Sequence, residues 1–334
     1  MDAHQDAHQS AAAGRSGPAC LPAVLGPPRG PRPDRTLTGA VLAAVLALFV
    51  LWDGAGVLFT PLHDGIYDWR CARRRARLIA DFPGKDVAES PHFVLHYDES
   101  LDGAWAPVVL ACAERAHEAV SRRLGWSPAG REGKVPVLLH PTRTSLDRQF
   151  ASRDGLEAVG AYWCGVVQVL SPRLWLAEEP GAAAVAALWT DGPLVHEYTH
   201  YVLDMLVPAG NYPRWFSEGL AQYVEYRETG YLWLGGGASA GLLPGSEGPL
   251  YSLPELGRDF DGLENTAVAY REAFLLTAYL VDYSVGWDGL HTLLGEMARG
   301  RPFEAALEKV TGLSPKEFES RWLEWLREAE PRYR

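Results

Sequence analysis

The stretch L-V-H-E-Y-T-H-Y-V-L-D-M-L-V-P-A-G-N-Y-P-R-W-F-S-E-G-L-A-Q-Y-V-E, Leu194 to Glu225, decides how the rest of the chain is read. His196 and His200 are four residues apart, so on a helix both imidazoles leave one face and can reach a single metal ion. Glu197 stands beside them as a candidate general base. A catalytic zinc takes three protein ligands and keeps its fourth position for water. Glu218 is the candidate third ligand: it lies 18 residues after His200, beyond a break at Pro208 to Pro213. This spacing predicts two helices facing each other across one ion, with one zinc per chain as the expected cofactor. Zinc held in this way polarises an amide carbonyl and acidifies water, and Glu197 would carry the water's proton to the leaving amine. Peptides or proteins are therefore the expected substrates.

Outside that stretch, composition narrows the possibilities. The chain has 334 residues, 47% of them hydrophobic, enough for a sizeable core. A net charge of −11 and a pI near 5.4 offer no basic stripe to replace phosphate counterions, so nucleic acid is not an expected partner. The glycine-rich run Y-L-W-L-G-G-G-A-S-A-G-L-L-P-G, Tyr231 to Gly245, fits a hairpin or a mobile loop. It lacks the Lys-Ser/Thr ending of a phosphate loop, so no nucleotide is expected either. Cys20, Cys71, Cys112 and Cys164 form no C-x-x-C pair and are expected to be buried free thiols. His92, His96, His117, His140 and His291 have no metal-like spacing to the central motif and are expected on the surface or in hydrogen bonds.

The N-terminal part reads differently. Residues 1–36 are rich in Ala, Gly and Pro, carry a D-A-H-Q-D-A-H-Q repeat, and should be a disordered tail. Leu37 to Trp52 is an uncharged run of 16 residues, extended toward Thr60 if Asp53 lies at an interface. It is read as a single transmembrane anchor over 37–60, with a cleaved signal peptide and a buried soluble helix as alternatives. Arg29, Arg32 and Arg35 precede it, whereas the first basic residue after it is Arg70. That asymmetry places the N-terminus in the cytoplasm and the catalytic part outside it. The later cluster of Arg70, Arg73, Arg74, Arg75 and Arg77 could equally sit against anionic headgroups on the inner face. Residues 61–90 are read as a linker.

From Pro91 the pattern is globular. His92 to Tyr97 reads as a strand, Ala104 to Leu124 as a helix, and Lys134 to His140 as a second strand in which Pro136 suggests an edge or a strand start. A-V-G-A-Y-W and G-V-V-Q-V-L, on either side of Cys164-Gly165, read as two short strands or one bent ribbon. Asp191 is a plausible cap for the helix bearing His196, with Pro193 in its first turn. From Glu264 the period is helical throughout, with Ser314 capping the last helix. The expected class is α+β, with a sheet lobe over 91–192, a helical lobe over 193–330 and the metal between them.

Two further segments sharpen the reading. W-F-S-E-G-L-A-Q-Y-V-E, Trp215 to Glu225, resembles the W-L-N-E-G-F-A-x-Y-x-E segment of gluzincin metallopeptidases, the zinc aminopeptidase and peptidase MA-like families in particular. A-Y-R-E-A-F-L-L-T-A-Y-L, Ala269 to Leu280, is similar to their P-Y-E-K-G-F-x-L-L-x-Y-L helix. The resemblance runs from about Pro91 to the C-terminus and implies a thermolysin-like catalytic domain. It also implies that Glu218 is a zinc ligand and that Tyr270 donates a hydrogen bond to the transition-state oxyanion.

The chain also departs from that pattern. Gly160-Ala161 resembles the start of the aminopeptidases' G-A-M-E-N strand, but Trp163 stands where a glutamate would hold a substrate's free amine. Gly160, Ala161, Tyr162 and Trp163 are therefore read as a strand that pairs with an extended peptide, and internal cleavage is expected. Gln222 replaces an aspartate that supports a zinc histidine in thermolysin-like relatives. Glu225 matches an acidic position of the aminopeptidase segment, or is a solvated helix residue. Two alternatives stay open: a membrane-anchored, non-catalytic interaction module on the same fold, and an aminopeptidase with a non-standard amine anchor.

Overall fold

The computed structural model describes residues 60–127, 133–148, 158–207, 210–233, 251–258 and 260–329. The tail, nearly all of the 37–60 segment and most of the glycine-rich run lie outside the described residues, as does Cys20. Among the described residues, no helix is long and apolar enough to cross a membrane. The stretch expected to be a linker is ordered structure instead: a 22-residue helix, α1 (Thr60–Asp81), then strand β1 (Asp86–Glu89). Leu78 and Phe82 explain the difference, because they are buried against Leu138 and Val166 and fasten the end of α1 to the domain.

Strand β2 (Phe93–Tyr97) alternates buried and half-buried side chains, as expected for a strand with one covered face. A short helix, α2 (Glu99–Asp102), leads into α3 (Ala106–Leu124). Val109, Cys112, Ala113, Ala116 and Val120 recur at helical spacing and are all buried, so one stripe of α3 faces the core. The helix ends at Gly125, where a positive φ of 66° lets the amides of Gly125 and Trp126 both bond back to the Ser121 carbonyl.

Strand β3 (Val135–His140) is buried along its whole length because it lies inside the sheet, parallel to β2 on one side and to β5 (Val166–Leu170) on the other. Pro136 is thus not on an edge strand. It is tolerated because pairing with β5 begins only at Val137, so its missing N–H leaves no gap on that side. After the short helix α4 (Arg143–Asp147), β4 (Gly160–Trp163) forms an antiparallel hairpin with β5 through Cys164 and Gly165, at φ 50° and 77°. The strand order β1-β2-β3-β5-β4 leaves β4 at one edge of a small mixed sheet.

The helical lobe follows. Helix α5 (Ala182–Asp191) precedes α6 (Leu194–Leu206), which carries the two motif histidines, and α7 (Arg214–Thr229) carries Glu218. Asp191 does not cap α6. It closes α5, and Pro193 takes the N-cap position without a side-chain bond. Beyond α8 (Leu253–Arg258), α9 (Thr266–Tyr279) starts at an Asn265 cap and runs into a π-helical turn, Leu280–Val285. Helices α10 (Gly286–Ala298), α11 (Phe303–Thr311) and α12 (Pro315–Ala329) complete the chain. At the start of α12, Ser314 and Glu317 exchange backbone-to-side-chain bonds as a capping box. Helices α7 and α9 cross where Gly219 has no side chain: a Cβ there would stand 2.1 Å from the Ala273 carbonyl oxygen.

Candidate metal centre

One turn separates His196 from His200 on α6, and the adjacent face of α7 supplies Glu218. The two imidazole Nε2 atoms are 3.2 Å apart, and the Glu218 carboxylate oxygens stand 3.4 Å from His196 Nε2 and 3.5 Å from His200 Nε2. The ligating atoms of the three residues fall within 4.8 Å of one another. Among the described residues this is the one such group of His, Cys, Asp and Glu side chains.

The neighbours of these side chains orient them. His200 Nδ1 meets the Ser217 hydroxyl at 2.9 Å, and His196 Nδ1 lies 3.4 Å from a Glu225 carboxylate oxygen. Each ring is thereby turned so that its Nε2 points at the other ring and at Glu218. Glu225 is buried, so it is not a solvated helix residue. Arg214, one turn before Glu218, donates from Nη1 to Glu218 Oε1 at 2.8 Å. Gln222 is buried with its carbonyl oxygen unpartnered among the described residues; Ser217 supports His200 instead. Ser217 and Arg214 were not singled out by the sequence pattern. The i,i+4 spacing of Arg214 to Glu218 is the signal that could have found the second.

The electrostatics suit a cation. Glu197, Glu218 and Glu225 are all buried around two imidazoles, with the Arg214 guanidinium as the opposing charge. Burial would raise the Glu218 carboxyl, but Arg214 and the two histidines more than offset it and hold that carboxyl well below the usual range. Burial works against a charged His196, yet Glu218 and Glu225 raise it well above an ordinary histidine. Burial dominates at His200 and lowers it. Glu197 is pushed up to about 8, by burial first and by Glu218 and Glu225 in addition. Two nitrogens and one carboxylate, converging with the carboxyl groups of Glu197 and Glu225 close by, are a donor set that fits a zinc ion.

Around the centre, Glu197 and β4 come close together. A Cβ on Gly160 would meet the Pro193 ring at 2.3 Å and Glu197 Oε1 at 3.0 Å, so only glycine lets the edge strand approach the start of α6 this closely. Ala161 follows, half-buried. The Tyr162 ring stacks on His200 with centroids 6.1 Å apart, and its hydroxyl donates to Asp204 at 2.6 Å. Tyr212 donates to the other oxygen of Asp204. This Tyr-Asp-Tyr link, unforeseen from the sequence, ties β4 to the last turn of α6. Trp163 is 50% exposed at the end of the strand. Tyr270, on α9, packs edge-on against Phe260 and Trp233 at 5.1 and 5.4 Å. Burial raises its hydroxyl well above the ordinary tyrosine range, and the charges of Glu218, Arg214 and Glu197 all act on it.

Among the described residues, four other histidines have partners outside the centre. His92 pairs with Glu114, His117 with the Tyr198 hydroxyl, and His140 with Ser145 and Gln168, while His291 bonds the Arg123 carbonyl.

Residues 179–328 match the family model of the peptidase MA superfamily, which supports a gluzincin-like metallopeptidase domain in that segment. The match takes in α5 through nearly all of α12 and leaves the five-stranded sheet outside it. No curated protein matches the chain.

Proposed function

With residues 179–328 matching the peptidase MA superfamily, we propose that the protein is a membrane-anchored, zinc-dependent endopeptidase. The observation that carries this reading is the convergence of His196, His200 and Glu218 within 4.8 Å, with Glu197 on the same helix. Those three residues would hold the zinc ion, which when bound supplies Lewis acidity and an acidified water. Glu197 is the group to take a proton from that water and deliver it to the departing amine. Tyr270 would donate its O–H to the carbonyl oxygen as negative charge develops there. The β4 edge, Gly160 to Trp163, would hold an extended peptide by main-chain hydrogen bonds on both sides of the scissile bond.

Internal cleavage is favoured over removal of N-terminal residues for two reasons. Trp163 carries no charge for a free α-amine, and Glu225 is turned inward toward His196. Against a non-catalytic zinc site stands the lack of a fourth protein ligand among the described residues. Anchoring through residues 37–60, with the domain outside the cytoplasm, rests on the uncharged run and on the arginines that precede it.

Metal analysis and peptide cleavage by four variants test the proposal. The wild-type chain should carry close to one zinc. Alanine at His196, His200 or Glu218 should remove the metal and the activity together, whereas Glu197→Gln should keep the metal and lose hydrolysis. Full hydrolysis by Glu197→Gln would overturn the assignment.

A further inference from the structure

Two of the cysteines expected to be isolated thiols are neighbours. Cys71 lies on the inward face of α1 and Cys164 at the tip of the β4–β5 hairpin, 93 positions later (164 − 71). The two thiols are close enough that Cys71 acts on the Cys164 thiol, and Cys71 acts likewise on the hydroxyl of Tyr67, one turn earlier on α1. Two glycines place α1, one at the turn of this hairpin and one in the connection between α6 and α7. A Cβ on Gly165 would stand 3.5 Å from Arg75 Nη1, and one on Gly210 would stand 3.6 Å from the Tyr67 hydroxyl. Both cysteines are half-buried and within reach of a small reagent, whereas Cys112 is fully buried with its sulfur on the Val185 carbonyl.

The backbone at Cys164 is a second, independent observation. It is the one non-glycine among the described residues with a positive φ, 50°, and Gly165 follows at 77°. A two-residue hairpin turn with positive φ at both positions favours Asn, Asp or Gly at the first. Cysteine has no backbone advantage there, so its sulfur is what that position gains.

We infer that Cys71 and Cys164 form a disulfide that fastens α1 to the hairpin bearing the β4 edge strand. The inference is independent of the metal chemistry. The oxidant is a small-molecule or protein disulfide, such as glutathione disulfide. The Cys71 thiolate attacks one of its sulfurs, forms a mixed disulfide and expels one thiolate. Cys164 then loses its proton to solvent and attacks the Cys71 sulfur, expelling the second thiolate. Two protons and two electrons leave the protein, and one oxidant disulfide becomes two thiols. Burial and the adjacent Cys71 push the Cys164 thiol up to about 12, which makes it a poor first attacker and suits it to the second, intramolecular step. A bond of this kind persists in oxidising compartments, so it also bears on which side of a membrane the domain lies.

The test uses the purified full chain equilibrated with glutathione disulfide in excess over glutathione, denatured with N-ethylmaleimide, digested with trypsin and analysed by mass. The expected product is the tripeptide Cys71–Arg73 joined to the peptide Asp154–Arg173, with Cys20 and Cys112 alkylated. Closing so long a loop should also raise the Tm of the oxidised chain over the reduced one by several degrees. That rise should vanish in Cys71→Ser and in Cys164→Ser and survive in Cys112→Ser. Alkylation of both Cys71 and Cys164 after oxidation, or a cross-link from either one to Cys20 or Cys112, would overturn the inference. If one serine variant fails to fold, the other and the wild-type peptide map still decide it.

Discussion

Gly219→Ala is a one-methyl perturbation whose effect can be worked out from the crossing of α7 and α9. The added Cβ would lie 2.1 Å from the Ala273 carbonyl oxygen, 2.4 Å from Thr277 Oγ1 and 2.6 Å from the Ala273 carbonyl carbon. Real Cβ contacts essentially never fall below 3.0 Å, so the helices must part by about 0.9 Å at least (3.0 − 2.1). Two of the three opposing atoms are backbone, so no rotamer change relieves the contact. Overpacking against such a wall costs about 3 kcal/mol, the upper end of the usual range. Alanine regains about 1 kcal/mol of helix propensity. The net loss is about 2 kcal/mol, a fall in Tm of about 4–8 °C for a domain of this size. The displacement also matters chemically, since Gly219 adjoins Glu218 and α9 carries Tyr270. Parting the helices moves the phenol away from the centre, so kcat should fall well beyond what the stability loss explains at a temperature where the variant stays folded. Thermal melting and peptide turnover on the same preparation measure both. A variant with the wild-type Tm and wild-type kcat would refute the close-crossing argument.

Other changes probe separate parts of the domain. Tyr270→Phe removes the oxyanion donor and should lower kcat by about 10²–10³ with metal content unchanged, read by steady-state kinetics beside metal analysis. Glu272 is fully buried on α9, accepts the Tyr251 N–H at 3.1 and 3.2 Å, and is raised by burial from 4.5 to about 8. The folded chain therefore keeps a proton that the unfolded chain releases near 4.5, and stability should decline as pH rises from there to about 8 and then level off. Glu272→Gln should remove its share of that decline and stabilise the protein at pH 7 by at most about 3 kcal/mol, measured by denaturant melts across pH. Acetylating the N-terminus of a substrate peptide should leave its cleavage rate nearly unchanged; a large loss, followed by chromatography, would favour an aminopeptidase.

Much of the domain was readable from local pattern, because strands, helices and metal motifs are short-range features. The four-residue step from His196 to His200 sets both rings on one helix face in any context that keeps the helix. The Cys164-Gly165 break between two apolar runs marked two short strands or one bent ribbon, and Ser314 marked the last helix start. The segment before Pro91 was misread for the same reason. Arginines dominate Thr60–Asp81, and its attachment depends on Leu78 and Phe82 meeting Leu138 and Val166, residues far along the chain. Long-range packing also decided the place of Pro136 in an interior strand, the inward turn of Glu225 toward His196, and the meeting of Cys71 with Cys164. A side chain's periodicity shows which face of its own element it occupies. What that face touches depends on how elements cross, and those crossings are set by bare backbone at Gly160 and Gly219, where the absence of a side chain leaves no mark in the hydrophobic pattern.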